Sequence, residues 1–210
     1  MRAMSDDHQD ADTFADFSVK PTLTGELVIL RPFELEQDAP VIREWLTDPE
    51  VLRFTDGDPG TPPPWDEEAE RTMREWYGTR ADQPDRLDLA IVDRATGHCV
   101  GEAVLNQWRP ADRSCSFRIL LTAAGRDRGL GTEALRLIVG YGFERLGLHR
   151  ISLTVYGHNP RGRRSYEKAG FVLEGTRRQV LRFGEEWVDD HDMAILAPEW
   201  AQHRGYPELA

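Results

Sequence analysis

Cysteine is scarce in this chain: Cys99 and Cys115 are the only two in 210 residues. Neither lies in a CxxC pair or near a histidine at metal-ligand spacing, which argues against a disulfide framework, a structural zinc and a redox pair. Both read as reduced structural residues, and no metal is expected. Long apolar runs are missing too; none approaches the roughly 18 residues of a membrane span, so a soluble protein without a membrane partner is expected. The first residues lack the basic start, apolar centre and cleavage site of a secretory signal, which leaves the cytoplasm as the expected compartment. Positive charge is in deficit, with 26 Lys and Arg against 37 Asp and Glu for a net charge of -11. A general nucleic-acid role is disfavoured, because neutralising phosphates needs a basic surface. Neither a repeat nor a heptad pattern occurs, which excludes solenoids and coiled coils.

What remains is a length suited to one well-cored domain. Residues 1–20 carry five aspartates (Asp6, Asp7, Asp10, Asp12, Asp16) and few large apolar side chains. A flexible acidic tail is expected there, a single domain over 21–200, and a short tail over 201–210. Leu27 to Pro32 reads as a strand, and Glu36 to Thr47 as a helix that Asp48-Pro49 ends. Residues 55–65, rich in Gly, Pro and Asp, read as a loop into a second helix near 66–79. Three strand-like runs follow, Leu87 to Val92, Val100 to Gln107 and Cys115 to Thr122, with turn signals at Ala95-Thr96-Gly97 and Arg109 to Asp112. Ala134, Leu137, Ile138, Tyr141 and Leu146 then recur at helical spacing. Ile151 to Tyr156 reads as a strand, Arg161 to Ala169 as a short helix, and 171–182 and 187–196 as closing strands. The expected fold class is α/β (α+β), a mixed sheet with helices packed on it.

The most informative segment is Arg126-Asp127-Arg128-Gly129-Leu130-Gly131-Thr132, between a strand and a long amphipathic helix. Glycines there permit close backbone approach, and a helix start turns unpaired N–H groups and about half a positive charge toward an anion such as a pyrophosphate. Taken alone, the segment reads equally well as a glycine turn with a helix cap. It is neither a Walker loop, since no Lys-Ser or Lys-Thr follows, nor the dinucleotide GxGxxG pattern.

The R-x-x-G-x-G form of this segment resembles the acyl-CoA pyrophosphate loop of the GNAT N-acetyltransferases. About 28 residues on, Asn159-Pro160-Arg161-Gly162-Arg163-Arg164-Ser165-Tyr166-Glu167-Lys168-Ala169-Gly170-Phe171 is similar to that family's N-x6-Y-E-K-x-G-F signature. Leu23 to Pro32, Asp48 to Val51, and Gly184 to Trp200 with Trp187 and Asp189 resemble the ribosomal-protein (RimJ/RimL-like) branch. The resemblance covers roughly 22–200. It implies a mostly antiparallel seven-stranded sheet splayed between its fourth and fifth strands, flanked by about four helices, with acetyl-CoA or another acyl-CoA as co-substrate in the gap.

By that resemblance, backbone groups of Ile119 and Leu121 pair with the pantetheine arm as an added strand would. Arg126, Asp127, Arg128, Gly129, Leu130, Gly131 and Thr132 hold the pyrophosphate through their amides, Asn159 bonds the pantetheine, and Arg164 is among the arginines that meet the phosphates. Tyr166 donates a proton to the departing thiolate. Asn159 also reads as a turn residue before Pro160, and Tyr166 as an aromatic packed on the sheet. Many relatives place a basic glutamate on the fourth strand; here Ser116 stands at that position, and Arg118 where a glycine is usual. The base is therefore open among Glu102, His158 and the Asp189 to Asp192 cluster, with Ser116 able to position a water.

From Glu34 to Glu70 there are twelve acidic residues against two arginines, and from Pro160 to Arg182 seven basic against two acidic. The second stretch surrounds the CoA signature, and the first flanks the acceptor side of the family architecture. A cationic acceptor follows as the expectation: the N-terminal amine of a basic protein, a polyamine or an aminoglycoside-like amine. Relatives dimerise, so a homodimer is compatible with the chain, though no residue demands one. The competing class is a non-catalytic acyl-CoA-binding regulatory or interaction domain, suggested by Ser116 in place of a carboxylate.

Overall fold

The computed structural model describes residues 15–55 and 64–203. Its eight strands are β1 (Leu23–Thr24), β2 (Val28–Arg31), β3 (Leu87–Asp93), β4 (Cys99–Arg109), β5 (Ser114–Leu121), β6 (Arg150–Tyr156), β7 (Val172–Phe183) and β8 (Glu186–Leu196). The helices are α1 (Leu35–Thr47), α2 (Pro49–Thr55), α3 (Glu67–Gly78), α4 (Leu130–Glu144), α5 (Pro160–Lys168) and α6 (Ala197–His203). One sheet in the order β1-β2-β3-β4-β5-β6-β8-β7 carries them. Every neighbouring pair is antiparallel except β5 and β6, which run parallel. The expected seven strands become eight because Leu23 and Thr24 pair with Leu30 and Ile29.

Among the described residues there are six α-helices where about four were expected. Asp48-Pro49 closes α1 but also opens α2. Asp48 Oδ1 accepts from the amide of Glu50 at 2.8 Å, and Pro49 sits at the first helical position, where no amide hydrogen is missed. The C-terminal tail expected from 201 is helical to His203, with Trp200 buried against Phe143. At the other end, residues 15–20 are packed. Phe17 is 1% exposed against Trp108, and Lys20 Nζ donates to the carbonyls of Phe17, Gln83 and Arg86. The rest of the expected N-terminal tail, and most of the expected 55–65 loop, lie outside the described residues.

Strand alternation sends β-strand side chains to two faces. On one face Ala103, Leu105, Cys115, Phe117, Ile151, Leu153 and Val155 pack under Ala134, Leu135, Ile138 and Val139 of α4 and Trp200 of α6. On the other, α1 and α3 form a smaller core from Ile42, Trp45, Met73 and Tyr77. In the first turn of α4, Glu133 turns away from the helix axis. Its carboxylate accepts from the amides of Glu26, Leu27 and Val28 at 2.8, 2.7 and 2.8 Å, which fastens the β1–β2 hairpin to the helix.

Candidate functional site

The parallel contact between β5 and β6 is short. Ser114, Cys115 and Ser116 pair with Arg150, Ile151 and Ser152, and beyond Ser116 the strands separate. This is the expected splay between the fourth and fifth strands, numbered β5 and β6 once the short β1 is counted. A cleft of about 1340 Å³ opens from the fork, lined by β5, β6, α5, the start of α4 and α2. Among the described residues, no cluster of three His, Cys, Asp or Glu side chains could hold a metal ion, and no helix is long and apolar enough to cross a membrane.

At one end of the cleft a 3-10 turn, Ala123–Gly125, leads into α4. Asp127 (φ 58°) and Gly129 (φ 81°) take left-handed backbone conformations, which curl the loop into the helix start. The amides of residues 127–131 have no hydrogen-bond partner among the described residues, and α4 behind them runs for 15 residues. Five unpaired amides at a helix N-terminus form a cradle for an anion, so the residues present fit a pyrophosphate. The arginine side chains are engaged by carboxylates. Arg126 donates from Nε to Leu121 O and pairs with Asp48 and Glu50 of the α1–α2 corner. Arg128 pairs with Asp93 and leaves the cleft wall, and Leu130 is buried in the core, so the side chains of these two expected loop residues do not line the cleft.

The alternation of β5 explains how an extended ligand could pair with it. Thr122 sends its amide to Val100 O on β4, so the odd-numbered Ile119 and Leu121 direct their amide and carbonyl groups into the gap. Leu121's carbonyl already accepts from Arg126 at 3.0 Å, which leaves Ile119 as the freer pair.

On the far wall, Asn159 caps α5, its Oδ1 accepting from the amide of Gly162 at 2.9 Å. The capping and binding readings are compatible, because the cap uses the oxygen while the residue still lines the cleft. Thr132 and Ser165 hydroxyls meet at 3.2 Å, so α4 and α5 touch across the cleft floor. Arg164 is exposed on the lining and enters no ion pair among the described residues. Tyr166 faces the cleft with its ring edge-on to Phe117 and tilted against Phe171, and burial pushes its phenol up to about 12.

The candidate bases part company. Ser116 lines the cleft at the fork and its hydroxyl donates to Gln107 Oε1 at 2.9 Å. Glu102 does not reach the cleft: 1% exposed, it points to the α1–α3 side, where Oε1 accepts from Arg118 at 2.6 Å and Oε2 from the Tyr77 hydroxyl at 3.2 Å. The Tyr77 oxygen in turn accepts from the Trp45 indole at 3.2 Å. Burial drives the Glu102 carboxyl upward, opposed chiefly by Arg118. His158 is stacked between Phe54 and Tyr156, with Nε2 3.1 Å from Arg53 O. Asp190 and Asp192 line the cleft, whereas Asp189 does not. Burial also holds the Cys115 thiol near 12, unsuited to attack on a thioester.

Much of the acidic surplus of Glu34 to Glu70 turns out to be spent internally. Asp38 is buried on Arg31, Glu70 bridges Arg43 and Arg74, and Asp48 and Glu50 reach Arg126. Sequence reasoning missed this α2 contact, Arg118 as part of the cleft wall, and the Tyr77–Glu102 bond. Each depends on elements far apart in the chain, and only the unusual arginine at position 118 left a signal.

A fork of parallel strands, unpaired amides at a helix start and a tyrosine in the wall meet in one cleft, and a family model describing an acetyltransferase (GNAT) domain matches residues 28–172. The chain belongs to the GNAT acetyltransferase family. It is similar to a probable N-acetyltransferase, YjcK, of Bacillus subtilis, 32% identical over 133 residues that cover 63% of this chain and 74% of that one. It is also similar to the spermidine N(1)-acetyltransferase of Escherichia coli K12, 28% identical over 121 residues covering 57% and 65%. Among solved structures, the spermidine N-acetyltransferase of Vibrio cholerae in complex with CoA and spermine shares the fold. Its TM-score is 0.73 at 21% identity, covering 84% of this chain and 99% of that one.

Proposed function

We propose that this GNAT N-acetyltransferase moves the acetyl group of acetyl-CoA to a primary amine of a polyamine-type acceptor, by direct attack on the thioester. The observation that carries the reading is the fork at Ser116, with unpaired amides of residues 127–131 at one end of the cleft and the Tyr166 phenol in its wall.

The loop amides would hold the diphosphate, with Arg164 and, after exchange of their carboxylate partners, Arg126 and Arg161 adding charge. Ile119 would pair with the pantetheine arm, and amides at the odd-numbered positions of β5 would supply main-chain donors that polarise the carbonyl. A phenol near 12 is a weaker acid than a thiol, whose ordinary value is about 8.5, so Tyr166 stabilises the departing thiolate mainly as a hydrogen-bond donor. Ser116 spends its proton on Gln107 and keeps its lone pairs for the amine or a water, which matches a positioning part rather than a base. With Glu102 buried behind Arg118, the reading favours loss of the amine proton to cleft water beside Ser116.

The cationic acceptor rests on spermidine acetyltransferases among the relatives and on the carboxylates of Asp190 and Asp192 in the cleft wall. The likeness of the closing stretch around Trp187 and Asp189 to the ribosomal-protein branch keeps a protein N-terminal amine as the second acceptor to test. The experiment is release of free CoA thiol from acetyl-CoA with a panel of amines. Turnover with a polyamine is expected, lowered about 10- to 100-fold in Tyr166→Phe, the scale of one hydrogen bond to a charged group. Tight acetyl-CoA binding in calorimetry without turnover on any amine would instead establish the non-catalytic binder.

A further inference from the structure

On the β8 side of the cleft, Asp190 stands in register with Tyr156 of β6 and Arg177 of β7. It is 4% exposed and lines the cleft. Its Oδ2 accepts from Arg177 Nη2 at 2.5 Å, while Oδ1, equally buried, has no hydrogen-bond partner among the described residues. Buried carboxylate oxygens are normally satisfied, and one left open carries a desolvation cost that a cationic donor would remove. Asp192, two residues along the same strand face, also lines the cleft, 3.4 Å from Arg177 Nε. The neighbouring Arg150 and Glu174 close on each other at 2.5 Å. Two carboxylates thus share one guanidinium, and this wall keeps one uncompensated negative charge. Burial raises the Asp190 carboxyl; Arg177 opposes the rise, Asp192 adds to it, and the neighbouring His191 also opposes it.

We infer that Asp190, supported by Asp192, is an ammonium subsite for a second, non-reacting nitrogen of the acceptor, which selects di- and polyamines over monoamines. The inference rests on the amine-acetylating reading above. An amine that attacks must be uncharged, and contact with a carboxylate holds an amine protonated, so the nitrogen bound at Asp190 is not the one acetylated. From the fork at Ser152 to Tyr156, which Asp190 faces, is four strand positions, at most roughly 13 Å at about 3.3 Å per residue. A spacer of several methylenes spans that distance.

The test is steady-state acetyl transfer to spermidine and to n-butylamine by the full chain and two variants. Asp190→Asn is expected to raise KM for spermidine about tenfold or more, the scale of one charge-assisted hydrogen bond, with kcat little changed and KM for n-butylamine unaltered. Arg177→Gln frees both carboxylates and is expected to lower KM for spermidine, a sign that loss of folding would not produce. Acetyl-CoA affinity by calorimetry should be the same in all three. An unchanged KM for spermidine in Asp190→Asn overturns the inference. Should the chain turn over no amine, the proposed activity fails, yet calorimetry with spermine in the presence of CoA still decides the subsite. Binding lost in Asp190→Asn supports it; binding retained in the variant, or no binding to the unsubstituted chain, overturns it.

Discussion

Replacing Arg118 with methionine tests the buried pair beneath the acceptor end of the cleft. Arg118 is the main positive charge opposing the burial of Glu102, whose carboxyl is already raised above its ordinary value. Removing one partner of a buried pair costs about 3–5 kcal/mol when the other stays charged. The Arg118 side chain is 44% exposed, so water shares its role and about 2–3 kcal/mol is the fairer expectation. That cost has a characteristic pH dependence. Below the unfolded carboxyl value of about 4.3, Glu102 is protonated in both states and the two proteins should differ little. As pH rises, the unfolded chain releases its proton first while the folded chain retains it, so stability falls, and without Arg118 the folded value climbs further. The variant's deficit should therefore grow with pH, by no more than about 1.4 kcal/mol per unit, and level off once pH passes the variant's own folded value. At about 2–4 °C per kcal/mol for a chain of this size, the loss in Tm is about 4–12 °C at pH 8 and near zero at pH 4. Thermal unfolding followed by circular dichroism between those limits is the assay, with Arg118→Met/Glu102→Gln as the control that should lose the trend. A deficit independent of pH would refute the argument, showing that Arg118 contributes packing alone.

Glu50→Gln removes a carboxylate that pairs with Arg126 at 2.6 Å and Arg161 at 3.3 Å, and so competes with phosphates for both. Acetyl-CoA should bind about two- to fivefold more tightly, the scale of a partly exposed ion pair, as calorimetry would show; weaker binding would mean that the pair organises the loop instead. Phe17→Ala should cost about 3 kcal/mol or more in urea unfolding, because the ring is fully enclosed; a cost under about 1 kcal/mol would place its packing outside the stable core.

The two segments that line the cleft were legible as elements because local spacing alone specifies them: glycines before an amphipathic helix, and an Asn-Pro helix start followed by Tyr166. The strands of the meander were readable for the same reason, alternation being a local pattern. Phe17 was not, since two phenylalanines among aspartates establish no period, and the ring it packs against, Trp108, lies 91 positions later. Pro49 was read as a stop and proved also to be a start, because Asp-Pro serves both ends of a helix and only tertiary packing decides. The register of β8 against β6 set which of the aspartates from 189 to 192 meet the cleft. Alternation would have separated Asp190 and Asp192 from Asp189, but not told which pair faces in.

Glu133 illustrates how an apparent conflict is resolved. A carboxylate one turn from an anion-binding helix start should repel the diphosphate, yet three amides of residues 26–28 surround this one and spread its charge into the hairpin. In the proposed reading, binding of the diphosphate thereby depends on the β1–β2 hairpin: loosening the first strands would unmask an opposing charge beside the unpaired amides.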